Sequence, residues 1–202
     1  MDEMMMTLTG NNNDEFYNQM MKNNLENRTL IINETIDDSV LEDYAMYIIQ
    51  WNREDKNLPI ENRKPIWIIL NSEGGEVLSG IMLINVIKAS LTPINCLIAG
   101  LAASMASYIP MVCTTTYAFP NSVVCLHDGQ TGVYSTSRKA SDMMDFYKSC
   151  DDILRQLVIE NTNMSPEFLD QIADREFYIF ADKAMEYGIV DEIICTLDEV
   201  LF

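Results

Sequence analysis

Between Lys88 and Asp128 the chain carries no Asp, Glu, Lys or Arg; the titratable side chains there are His127, tyrosines and cysteines. So long a stretch without charge has to leave water, either into lipid or into the protein's own interior. Pro93, Asn95, Gly100, Ser104, Ser107 and Pro110 interrupt it, and no Lys/Arg cluster flanks it. It therefore lacks the unbroken apolar run and positive flank of a membrane span. The reading is a buried strand, Ile94–Ala99, followed by a small-residue helix, Ala102–Cys113, hydrophobic almost all round and hence central.

The flanking segments supply covering elements. Thr29–Ile32 reads as a strand, and Asp37-Asp38 as the cap of a helix whose apolar positions Val40, Tyr44, Ile48 and Trp51 follow the 3.6 period. Ile66–Leu70 is a continuous apolar run, as a strand buried on both faces of a parallel sheet requires. A helix from Val77 to about Ser90, a strand Ser122–Leu126, and a long helix within 137–161 with Met143, Tyr147, Cys150, Leu154 and Val158 on one stripe follow. Ser165-Pro166 starts another helix, and Gly188 ends a last short one before a strand Ile189–Ile194. The alternation of strand and helix is an α/β pattern without repeats. Residues 1–28, rich in Met, Asn and acid without sustained periodicity, read as a flexible arm or leader ahead of one domain, 29–202.

Composition removes several functions. With 13 Lys+Arg against 31 Asp+Glu the formal charge is −18, which repels phosphate backbones and anionic lipid, so neither nucleic acid nor a membrane is expected as partner. The N-terminus has acidic residues where a secretion signal needs basic ones, which points to a cytoplasmic protein. The five cysteines, Cys96, Cys113, Cys125, Cys150 and Cys195, have no CxxC spacing and read as reduced core thiols. One histidine with scattered cysteines gives no metal site, Asp151-Asp152 reads as a solvated helix face, and no cofactor is expected.

Three motifs carry chemistry. His127, the single histidine, ends the strand Ser122–Leu126 and is the one available imidazole base. Ser104, in Ala102-Ala103-Ser104-Met105, stands at a strand-to-helix turn, where free N–H groups favour a developing alkoxide. Asn71-Ser72-Glu73-Gly74-Gly75 puts two glycines directly after a buried strand, so that backbone amides approach another group without a Cβ between.

With these motifs, Phe119–Ser122 and Glu186–Asp191, the chain resembles the ClpP family, the proteolytic subunits of the Clp protease, over roughly residues 16–194. That resemblance implies the ClpP/crotonase-like spiral of strand-strand-helix units, with a protruding handle at about 128–162. It implies Ser104 as nucleophile, His127 as general base and the amides of Gly75 and Met105 as oxyanion hole. The family's aspartate is matched by Glu176, one methylene longer, with Asp174 held in reserve as the orienting acid. Asp174 and Arg175 match a ring-to-ring contact between two stacked heptamers. Asp128, Gly129 and Gln130 match the strand that flanks substrate, and Trp67, Ile69 and Tyr117 match a cleft into which a hexameric AAA+ unfoldase docks. Asp128 and Gln130 depart from the family pattern and make the substrate side less apolar, and Asn57–Arg63 reads as an insertion.

No GxxxxGK[ST] occurs, so ATP hydrolysis has to come from a partner. The leading expectation is a self-compartmentalising serine endopeptidase acting on unfolded polypeptides. The alternatives are a ClpP-like ring subunit that assembles but cuts poorly, and, less well matched in charge and length, a crotonase-type acyl-CoA enzyme.

Overall fold

In a computed structural model that describes residues 2–129 and 132–199, β1 (Thr29–Ile32), β2 (Ile66–Ser72), β3 (Ile94–Ala103), β4 (Thr115–Ala118) and β7 (Glu192–Ile193) lie side by side in that order, all parallel. In β2, Ile66, Ile68 and Leu70 are fully buried on one side while Trp67 and Ile69 are partly covered on the other, so the apolar run serves two faces. The inner face packs under α2 (Met46–Asp55), which a π-type turn Leu41–Ala45 introduces, and α3 (Val77–Ala89).

The strand that matters most is β3, because it forks. Asn95–Ile98 pair with β4, whereas Leu101–Ala103 pair with β5 (Val123–Leu126). On its other edge β2 shifts register between Leu70 and Ser72, and the freed Asn71 side chain accepts the Leu101 N–H at 3.0 Å and donates to Asn33 at 2.7 Å. Past the fork, β5 takes β6 (Phe177–Phe180) as an antiparallel neighbour, so the end of β3 and the end of β5 emerge together.

Several details go beyond or differ from the sequence expectation. Residues 104–113 form two short 3₁₀ turns, Ser104–Tyr108 and Pro110–Val112, rather than one helix, because β3 continues to Ala103 and Pro110 then supplies no N–H to extend the first turn. They are central all the same: Met105, Ala106, Ser107 and Ile109 are buried. The residues read as a flexible arm or leader include α1 (Asp2–Glu26), whose side chains Phe16, Tyr17 and Met20 stay exposed. Local pairs such as Gln19 Nε2 to Asn23 Oδ1 (2.8 Å), rather than an apolar stripe, accompany that helix, and periodicity gave no sign of it. The strand expected over Ile189–Ile194 shortens to β7, and Cys195 is exposed rather than in the core.

Arg28, with φ +58°, closes α1 and opens β1, and its guanidinium grips the buried Asp55 with both nitrogens, at 2.6 and 2.9 Å. Thr92 donates to the same carboxylate at 3.0 Å. These bonds hold the Asp55 carboxyl below the usual range, the Arg28 hydrogen bond contributing most. The remaining helices are α4 (Ser137–Asn161), α5 (Pro166–Ile172), where Ser165 caps by accepting the Phe168 N–H at 3.2 Å, and α6 (Ala181–Glu186).

Candidate active site

Where β3 ends, the chain turns sharply. Ser104 has φ +52°, a left-handed backbone that a residue with a Cβ seldom adopts, and it opens a 3₁₀ turn whose first N–H groups have no acceptor within the turn. Such strain persists only where surroundings enforce it. The Ser107 hydroxyl, fully buried, donates to the Ser104 carbonyl at 2.6 Å and holds the turn closed. The Met105 side chain is wedged against α3 at Gly80, where any Cβ would overlap it.

The glycine pair after β2 docks onto this turn. Gly74 has φ +93°, and a Cβ there would lie 2.5 Å from the Ala103 carbonyl, 2.7 Å from Ser104 Cβ and 2.8 Å from Met105 N. Gly75 is pinned from the other side: Ile36 N–H donates to the Gly74 carbonyl at 2.8 Å and Glu76 N–H to the Ile36 carbonyl at 2.7 Å. Neither bond uses the Gly75 N–H. Gly74, which sequence reasoning did not single out, is thus the residue that seats one loop on the other; its signal was the doubled glycine.

His127 follows β5, and its partner is set by register. In the β5–β6 pairing Cys125 stands opposite Tyr178 and Leu126 opposite Phe177, so one further step sets His127 opposite Glu176. Glu176 Oε1 lies 3.2 Å from His127 Nδ1. Asp174, two residues earlier, has φ +58°, and its N–H donates to Asp128 Oδ2 at 2.6 Å. Asp174 and Arg175 are both exposed.

Gly75, Ser104, Met105, His127, Asp128 and Gly129 line one cleft of about 410 Å³, walled on the far side by α4 and α5. Among the described residues no hydrogen bond joins the Ser104 hydroxyl to the imidazole, a looseness common in sites without substrate. The α4 wall is acidic at this point. Burial first, then Asp128 and Asp152, push the Asp151 carboxyl above its usual range, and burial with Asp128 and Asp151 pushes the Tyr108 hydroxyl up to about 12. Gln130, expected beside substrate, lies outside the described residues.

Trp67 and Tyr117 are in ring contact, centroids 5.4 Å apart, on the outer sheet face. With Phe119 they cover the buried Leu97 and Ile194; Ile69, two residues along β2 from Trp67, is partly exposed on the same face. Among the described residues no group of His, Cys, Asp and Glu could hold a metal ion, and no helix is long and apolar enough to cross a membrane.

The profile of the Clp protease family matches residues 11–196. The chain is 30% identical over 143 residues to ATP-dependent Clp protease proteolytic subunit 3 of Streptomyces coelicolor, covering 68% of this chain and 64% of that protein. It is 27% identical over 172 residues to proteolytic subunit 2 of Prochlorococcus marinus, covering 83% and 81%. It is 25% identical over 174 residues to the proteolytic subunit of Dehalococcoides mccartyi, covering 84% and 83%. With the mixed α/β architecture around a parallel sheet, these similarities establish that the chain belongs to the Clp protease family.

Proposed function

We propose that the chain is a serine endopeptidase that cleaves unfolded polypeptides with Ser104, His127 and Glu176. The observation that carries this is the contact of 3.2 Å between Glu176 and His127, the imidazole that lines one cleft with Ser104, itself set on a left-handed turn. Glu176 at Nδ1 fixes the tautomer that leaves Nε2 free to take the Ser104 proton. The hydroxyl oxygen attacks the peptide carbonyl, and the N–H groups of Gly75 and Met105 receive the oxyanion, each worth about 3 kcal/mol in such sites. The imidazolium then returns its proton to the leaving amine, and water repeats the sequence on the acyl-enzyme.

The assembly follows family logic: two stacked heptamers in contact through Asp174 and Arg175, working in the cytoplasm. A hexameric AAA+ unfoldase, docked on Trp67, Ile69 and Tyr117, feeds substrate along Asp128, Gly129 and Gln130. The exposed Asp174–Arg175 segment and the partly covered aromatic patch support that placement. The test is release of peptides from unfolded casein by rings sized by light scattering, with Ser104→Ala as control. Turnover abolished in Ser104→Ala is expected; turnover equal in both overturns the assignment. A second reading, a ring subunit that assembles without cutting, is favoured by the 58% exposure of the Glu176 side chain, which packing does not fix on His127, and would give intact rings with no turnover in either protein.

A further inference from the structure

Glu176 is an unusual anchor for an imidazole: its side chain is 58% exposed and has one more rotatable bond than aspartate, so packing alone does not hold it. Its carboxylate nevertheless has two distinct neighbours. Oε1 faces His127 Nδ1, and Oε2 accepts from the thiol of Cys125, Sγ to Oε2 3.7 Å. The sheet dictates this arrangement. Cys125 and His127 alternate onto one face of β5 and its extension, Tyr178 and Glu176 onto the same face of the facing strand, and Cys125 meets Glu176 on the diagonal.

We propose that Cys125 is a positioning residue: its thiol holds the second oxygen of Glu176 so that the first stays on His127. The inference rests on the reading of Ser104, His127 and Glu176 as a catalytic triad. Cys125 is 1% exposed, so its sulfur is fixed by packing, and its next acceptor, the Leu126 carbonyl, is farther away at 4.0 Å. Burial, with the Glu176 charge adding to it, pushes the thiol up to about 11 against the lowering effect of the Tyr178 hydroxyl, so at neutral pH it still carries the proton it donates. The arrangement answers the longer acid: an added methylene brings freedom, and a second donor removes it.

The test uses full-length rings. Cys125→Val removes the donor at similar volume and Cys125→Ser keeps one. The expected result with a fluorogenic peptide is a kcat lowered about three- to tenfold in Cys125→Val with KM unchanged, the loss a net hydrogen bond accounts for, and largely restored in Cys125→Ser. In a Glu176→Ala background Cys125→Val should have no further effect, because the thiol acts through that carboxylate. The S–H stretch in the infrared reads the bond without catalysis: the Cys125 band, assigned by difference against Cys125→Val, should move to higher wavenumber in Glu176→Ala. An unmoved band overturns the inference whatever the activity. A Cys125→Val enzyme as fast as wild type overturns it while leaving the peptidase reading intact, whereas wild-type rings without turnover overturn both. Should Cys125→Val fail to assemble, Cys125→Ser supplies the band assignment, and the wild-type and Glu176→Ala spectra still decide.

Discussion

Replacing Glu176 by Gln keeps the shape and an acceptor oxygen at His127 and removes only the charge. During attack the imidazole becomes a cation facing that carboxylate at 3.2 Å. Their attraction is about 1.3 kcal/mol in a fully aqueous setting and about 5 kcal/mol at an effective dielectric of about 20. Glu176 is 58% and His127 21% exposed, which places the pair toward the screened end. The expected loss is therefore about 1.5 to 3 kcal/mol, roughly 10- to 150-fold in kcat, less than a fully buried acid supplies. Glu176→Asp withdraws the carboxylate by roughly 1.5 Å and should fall between Gln and wild type, because the β5–β6 register fixes the distance between the two backbones. The assay is steady-state hydrolysis of a fluorogenic peptide by rings of verified size. A Glu176→Gln enzyme within about twofold of wild type, or one that loses KM rather than kcat, would refute the role of the charge.

Other consequences follow from the same contacts. Gly74→Ala forces a Cβ against Ser104 Cβ and Met105 N and costs about 1 to 2 kcal/mol of left-handed strain; activity should fall at least tenfold, roughly what displacing an oxyanion donor does, while rings still assemble. Asp55→Ala strips the bidentate partner from Arg28 and should destabilise by about 3 kcal/mol in urea unfolding. Because the folded Asp55 carboxyl is held below its unfolded value, its contribution is present above the ordinary carboxylate range and is lost as pH falls through the lowered value; the Ala variant should lack that acid limb. Asp151 has the opposite sign: its raised folded value makes its charge a burden at neutral pH that protonation relieves. Asp151→Asn should therefore raise the neutral-pH Tm, with the gain vanishing as pH drops below the ordinary range.

Strong periodicity made the helices Val77–Ala89 and Ser137–Asn161 and the strand from Ile66 legible, since burial on one stripe or on two faces writes itself into residue spacing. The segment after Ala103 reads as helical because small apolar residues suit any buried turn, and only the length of β3 decides where it bends. Strand Thr115–Ala118 escaped notice, being short and half polar, and so did Phe177–Phe180, whose antiparallel return alternates no polarity. At the site, Ser104 and His127 stood out by motif and by the scarcity of histidine. The motif match put Glu176 first with Asp174 in reserve; what brings Glu176 beside His127 is the β5–β6 register, a tertiary fact. Gly74 and Cys125 became visible for the same reason, through what they touch rather than what they are.

Activation of Ser104 is read by intact-mass spectrometry of assembled rings after a fluorophosphonate, wild type beside Ser104→Ala. One covalent adduct per wild-type subunit and none on Ser104→Ala is the expected result. Rings of full size that take up no adduct, or an adduct that persists in Ser104→Ala, would contradict it.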